Sequence, residues 1–164
     1  MTVRYQQVFV GVDPGTKGGA ALVTPDGDLF EVLKFADATD RDILDTFIRW
    51  GRMGIEPWAM IEKVNAMPAR SKDGTRRVGT KSMFVFGEGY GKLQMALMAA
   101  GMWIERVTPS VWQKAMACRT GGDKNISKAR AQELFPGAHV THAVADAMLI
   151  AEYCRRTRLL ASLA

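Results

Sequence analysis

Asp13, Glu62 and Asp146 are acidic residues set where a chain does not leave a charge without company. Asp13 closes the apolar run Val8-Phe9-Val10-Gly11-Val12 and is followed by Pro14-Gly15-Thr16-Lys17-Gly18-Gly19 and a second apolar run, Ala20-Ala21-Leu22-Val23. The runs read as strands and the Gly/Pro cluster as a hairpin turn, which leaves a carboxylate at the exposed end of a buried strand. Glu62 repeats the arrangement at the end of Trp58-Ala59-Met60-Ile61, after the break Gly54-Ile55-Glu56-Pro57. The lack of polar alternation predicts a central strand covered on both faces. Asp146 lies in Thr141-His142-Ala143-Val144-Ala145-Asp146-Ala147-Met148-Leu149-Ile150-Ala151, whose alanines and apolar residues mark a packed helix. His142, four residues earlier, shares its face. Each acid alone has an ordinary explanation, since Asp-Pro-Gly is turn chemistry and an acid or histidine on a packed helix often forms an ion pair. Three acids so placed are harder to explain that way, because a carboxylate in apolar surroundings must be paired, hydrogen-bonded or bound to metal. Hard oxygen donors suit Mg2+ or Mn2+. Two such ions about 3.5–4 Å apart can flank a scissile phosphate, one activating a water and the other stabilising the leaving 3′ oxygen, with no covalent nucleophile.

The elements that must position these residues follow from the same patterning. Strands are predicted near 6–13, 19–24, 29–35, 58–63 and 102–107, and helices over 40–53, 81–101, 109–117, 126–135 and 142–160. Thr39 or Asp40 can cap the first helix, Gly101 supplies the positive φ that ends the second, and Pro109 suits the opening of the third. Sequential strands followed by strands separated by helices give an α/β fold, a mixed five-stranded sheet flanked by helices. At 164 residues, 48% hydrophobic and 24% charged, and with no linker, repeat or low-complexity tract, the chain is expected to form one domain over 1–164. No apolar run of spanning length and no charged-then-apolar leader at Met1-Thr2-Val3-Arg4 is present, so a cytoplasmic protein without a membrane partner is expected. Cys118 and Cys154 lack metal spacing and read as reduced thiols.

The ordered set of motifs resembles the RuvC-like Holliday junction resolvases of the RNase H-like superfamily. The matching stretches are Asp13 to Gly19, Ile61-Glu62, the helix opening Phe84-Val85-Phe86-Gly87-Glu88-Gly89-Tyr90-Gly91, the segment Val107-Thr108-Pro109-Ser110-Val111-Trp112-Gln113-Lys114, the Lys-rich turn Asp123-Lys124-Asn125-Ile126-Ser127-Lys128-Ala129-Arg130, and the helix His142 to Ala151. The Tyr-Gly helix opening and Pro-Ser-x-x-Trp-x-Lys are similar to phage, bacterial and organellar relatives. The resemblance implies an RNase H-like fold and a structure-specific DNA endonuclease that resolves four-way junctions by symmetric, metal-dependent nicks, leaving 5′-phosphate and 3′-hydroxyl ends. It implies Asp13, Glu62 and Asp146 as metal ligands and Lys124 or Lys128 as the cation that neutralises charge on the phosphate. The family often carries an acid or histidine three residues before the last Asp, a position held here by Ala143, so His142 is the nearest candidate for a fourth ligand and His139 a competitor outside the helix.

Charge supplies a partner. A net charge of +5 and a pI near 9.4 favour a polyanion. Arg70, Lys72, Arg76, Arg77 and Lys81 crowd an aperiodic Gly-containing stretch that reads as a loop, and Lys114, Arg119, Lys124, Lys128 and Arg130 form a second group. Contacts of this kind bind phosphate without reading bases, which suits branched DNA recognised by shape. Two symmetric nicks require a twofold dimer. The 81–101 helix, with Met83, Phe84, Phe86, Tyr90, Leu93, Met95, Leu97 and Met98, is too apolar all round for a one-faced surface helix and is the expected dimer element, with Met67, Met83 or Phe84 available as a wedge between bases. The alternatives are an RNase H-like nuclease acting on RNA–DNA hybrids or other branched DNA, an integrase-like strand transferase, and a non-catalytic basic DNA-binding module.

Overall fold

The computed structural model describes residues 5–64 and 79–162. Five strands, β1 (Tyr5–Asp13), β2 (Gly19–Val23), β3 (Leu29–Lys34), β4 (Gly54–Glu62) and β5 (Trp103–Val107), form one sheet in the order β3-β2-β1-β4-β5. The first three run antiparallel as a meander, while β1/β4 and β4/β5 are parallel. Helices α1 (Asp40–Gly51), α2 (Thr80–Ala99), α3 (Pro109–Ala115), α4 (Lys124–Leu134) and α5 (His142–Ala161) complete the chain, with a short 3-10 turn at Phe35–Asp37. No helix among the described residues is long and apolar enough to cross a membrane.

Strand alternation sorts the side chains into two layers. Val8, Val10 and Val12 of β1, with Ala59 and Ile61 of β4, bury against Phe47, Trp50, Leu93 and Leu97 of α1 and α2. Phe9 and Met60 point the other way, into a cluster built from α3, α4 and α5 that includes Trp112, Met116, Ala131, Met148 and Ile150. Asp13 is in phase with Phe9, and Glu62 with Met60. The same alternation that fills the core therefore delivers both carboxylates to the α5 face.

The expected elements form, with shifted ends. Thr39 caps α1 through a capping box with Asp42, and Pro109 occupies the first turn of α3. Gly101 takes φ +73° just after α2. Strand β4 starts at Gly54, not at 58, so the segment read as a break is the strand's first half. Pro57 is tolerated there because β5 joins only from the Trp58↔Trp103 pair onward, and Pro57 is in register with Val8 of β1 alone. Helix α4 starts at Lys124, two residues before the expected 126, because the Asp123 side chain accepts from the Asn125 N–H at 2.9 Å and caps it. Lys124 is thus a first-turn helical residue, not part of a turn.

The expectation that α2 is apolar on all sides resolves into two faces. Leu93 and Leu97 belong to the core, while Phe84, Met95 and Met98 face outward at 72%, 61% and 55% exposure. Phe84, Gly91 and Met98 recur every seven residues and share that outer face.

Helix α5 crosses β1 at Gly11. A Cβ built on Gly11 would lie 2.2 Å from both the Ala147 carbonyl oxygen and the Ala151 nitrogen. The helix backbone therefore rests directly on the strand backbone, with Ala147 and Ala151 one turn apart at the contact. At the next strand, a Cβ on Gly19 would meet the Ala143 carbonyl at 3.2 Å and the Leu33 carbonyl at 2.4 Å. Because backbone atoms cannot rotate aside, Gly11→Ala is expected to lift α5 and cost more than the ~1–3 kcal/mol usual for core overpacking. Urea denaturation should record this as a large fall in midpoint, and a midpoint near wild type would show that α5 can shift without cost.

Candidate active site

The carboxylates of Asp13, Glu62 and Asp146 come within electrostatic range of one another at the carboxyl ends of β1 and β4, beneath the first turns of α5. Asp13 and Glu62 each lie one residue beyond the Val12↔Ile61 pair of parallel strands. The turn after β1 is shaped around the carboxylate. Gly15 donates its N–H to Asp13 Oδ1 at 3.2 Å and the Gly18 N–H reaches back to the Gly15 carbonyl at 2.8 Å. A Cβ on Gly18 would stand 2.4 Å from the Asp13 carbonyl oxygen and 2.9 Å from its Cγ, so a glycine is needed there to leave the side chain its space.

Glu62 accepts a 2.8 Å hydrogen bond on Oε2 from the indole N–H of Trp112, a fully buried residue of α3. Asp146 projects from the second turn of α5, and its Oδ1 is buried with no hydrogen-bond partner among the described residues. Burial and the negative charges of Asp13 and Asp146 push Glu62 up to about 7, against the opposing pull of the Trp112 N–H and Lys124. Burial also raises Asp13, helped by Asp146 and opposed by the Gly15 N–H and Lys124. The Cys118 thiol, buried and close enough to feel Asp146, is pushed up to about 11 and stays protonated.

Lys124 is the cation that acts on both Asp13 and Glu62. Lys128, one turn further along α4, is half-buried and forms no ion pair among the described residues. His142 opens α5 with an exposed ring whose Nε2 lies 3.1 Å from Asn125 Oδ1, so this nitrogen faces α4. His139 is exposed in the segment between α4 and α5. Lys81 and Lys114 are exposed on α2 and α3. Arg130 is tied down by the Met116 carbonyl and Glu133, which removes it from the free basic group. Arg70, Lys72, Arg76, Arg77 and Met67 lie outside the described residues.

By type, the donors suit a hard divalent cation. Asp13 and Glu62, both raised by burial and neighbouring negative charge, and the buried Asp146 Oδ1, which has no donor among the described residues, form the environment such an ion relieves. As they stand, no three His, Cys, Asp or Glu side chains among the described residues are grouped closely enough to hold a metal ion. Gly11, Gly18 and Trp112 are parts of the site that the reading of acids and bases missed. A glycine interrupting an apolar strand was the available signal for the close approach at Gly11.

The architecture matches solved structures. The RuvC structure of Thermus thermophilus superposes with a TM-score of 0.62 at 18% identity, over 93% of this chain and 96% of that one. The fold is RuvC-like. A second structure, T. thermophilus RuvC in complex with Holliday junction substrate, gives a TM-score of 0.61 at 17% identity over the same shares. No protein-family model matches the chain, and no curated protein matches it by sequence. The RuvC-like fold is the mixed five-stranded sheet with flanking helices expected from the patterning.

Raised carboxyl groups have a measurable consequence. Glu62 titrates near 7 in the folded protein against 4.5 ordinarily. Between those values the folded state holds more protons than the unfolded one, so stability falls as pH rises through this window. Metal-free protein is expected to melt higher at pH 5 than at pH 8 as far as Glu62 governs it, and Glu62→Gln should narrow the difference. Equal wild-type and Glu62→Gln profiles in calorimetry would show that Glu62 does not carry the strain.

Proposed function

We propose that the protein is a metal-dependent endodeoxyribonuclease that resolves four-way DNA junctions. The observation that carries this reading is the gathering of Asp13, Glu62 and Asp146 from three elements at one end of the sheet, on the fold of a protein solved with a junction substrate. In this reading the three carboxylates hold two Mg2+ or Mn2+ ions. Bound ions would supply Lewis-acid activation of water and charge neutralisation at the phosphate. The chain's own residues do the remainder. Asp13 and Glu62, fixed on adjacent parallel strands, set the spacing of the donors, and Asp146 closes the set from α5. Lys124, already acting on Asp13 and Glu62, stands to offset charge that builds on the phosphate oxygens. Water oxygen bonds to phosphorus as the bond to the 3′ oxygen breaks, the water gives up a proton to solvent and the leaving 3′ oxygen takes one up, and the products are a 5′-phosphate and a 3′-hydroxyl.

Substrate binding rests on charge. The net charge of +5 and the exposed Lys81, Lys114 and Lys124 favour phosphate contacts, and Arg70, Lys72, Arg76 and Arg77 add to them in sequence. His142 serves as a further donor or orients water if its ring turns from Asn125 toward Asp146. Paired nicks need two copies, and the outer face of α2 is the surface we assign to that contact. Phe84, Met95 and Met98 are exposed there, and added Cβ atoms on Gly87 and Gly91 would meet nothing within 4 Å, leaving room for a second helix to approach closely.

Asp13→Asn, Glu62→Gln and Asp146→Asn should each reduce nicking of a four-way junction by at least about 100-fold, while gel-shift binding in Ca2+ stays near wild type. The substrate panel should include three-way and linear duplexes and an RNA–DNA hybrid. Near-normal nicking by one variant removes that residue from the ligand set, and preference for the hybrid favours the RNase H-type activity. Phe84→Glu combined with Met95→Glu is expected to give a monomer in sedimentation velocity with unchanged melting, and a persistent dimer would place the contact elsewhere.

A further inference from the structure

We propose that Trp112 is a positioning residue of this centre: its indole N–H anchors Glu62 Oε2, which fixes the carboxylate's rotation and leaves Oε1 as the oxygen available to a cation. The inference rests on the reading of Glu62 as a metal ligand and extends it to a residue that touches neither metal nor substrate.

Three observations carry it. Indole nitrogen offers a single donor and no acceptor, so the 2.8 Å bond to Glu62 admits only one direction. Trp112 is fully buried among Met116, Cys118, Met148 and neighbouring residues of the α5-side core, so the donor has little freedom to follow a moving carboxylate. Third, α3 begins two residues after Val107, which is the register partner of Glu62, and the backbone N–H of Trp112 donates to the Thr108 carbonyl in the first turn of that helix. The acceptor thus ends β4, and the donor sits on the helix that follows directly from the adjacent strand β5. Among the described residues Glu62 accepts no other hydrogen bond. Without Trp112 its terminal torsion would be broad and twofold, as is usual for a carboxylate. Outer partners of this kind orient ligating carboxylates, and their loss typically weakens metal affinity by about 10–100-fold.

The test is Mn2+ binding to the full protein without DNA, followed by the EPR signal of free Mn2+, alongside metal-free melting. Trp112→Phe removes the N–H and keeps an aromatic ring. Replacement of Trp112 by 3-benzothienylalanine keeps the bicyclic volume and exchanges the N–H for sulfur, which covers the case in which Trp112→Phe folds poorly. Met116→Leu perturbs the same core without touching Glu62. Both Trp112 variants are expected to bind Mn2+ about 10–100-fold more weakly, with the benzothienylalanine protein melting close to wild type and Met116→Leu binding normally. If Glu62→Gln loses Mn2+ affinity but both Trp112 variants stay within about twofold of wild type, the positioning role is overturned while the metal reading stands. If Glu62→Gln binds as well as wild type, the metal reading fails and takes the role of Trp112 with it. Equal losses in Met116→Leu and the Trp112 variants would assign the effect to packing and overturn the proposal.

Discussion

The seating of α5 on β1 at Gly11 is the contact on which the rest of the molecule depends. Packed layers are normally held apart by the side chains between them, about 10 Å for sheet on sheet. Here the absence of a side chain at Gly11 and the small Ala147 and Ala151 bring backbone against backbone. Asp146 precedes Ala147 and carries only a short side chain. It reaches the strand ends because the helix that bears it lies this low. An α5 raised by one methyl layer would keep its apolar core partners but withdraw Asp146 from Asp13 and Glu62. Fold and site thus share one packing constraint.

A second constraint opposes the first. The sheet drives three carboxylates into a partly buried space where burial and mutual repulsion raise Asp13 and Glu62. Such strain is tolerated at functional sites and is offset by stability elsewhere. Here the compensation is visible in the two cores. Trp50, Phe47, Leu93 and Leu97 cover one face, and Trp112, Met148, Leu149 and Ile150 cover the other, each contributing roughly 1.5–3 kcal/mol when fully buried. Ion pairs at the periphery tie elements to the sheet: Arg49 and the Trp50 indole both bond Glu31, joining α1 to β3. Within α5, Glu152 is held by Arg155 and Arg156, which keeps its buried carboxylate ionised.

Trp112 links the two constraints. Its ring is a core residue and its N–H is part of the polar centre, so one side chain couples packing of α3 to the orientation of Glu62. The electrostatic effect runs the same way, since a donor to the carboxylate favours its charged form against burial. Lys124 acts similarly from the other side, delivered by a helix whose start is set by the Asp123 cap.

Much of this was determined by the sequence itself. Unbroken apolar runs ending in Asp13 and Glu62, the Gly-Pro turn, Gly101 and Pro109 are local signals, legible because local sterics decide them. The motif order also pointed to the RuvC-like fold at 18% identity, because turn glycines and strand-end acids are constrained by geometry more tightly than core residues, which interchange at constant volume. Other features could be decided only in three dimensions. Pro57 lies inside a strand because β5 is short, a fact about pairing that no local pattern encodes. The division of α2 into a core face and an open face depends on where α1 and the sheet sit. That Lys124 comes within electrostatic reach of Asp13 and Glu62, that His142 meets Asn125, and that Trp112 bonds Glu62 across fifty residues of chain are consequences of chain crossings. Spacing along a helix fixes which residues share a face, but the direction of that face is set by what the helix lies on, and for α5 that is the bare strand backbone at Gly11 and Gly19.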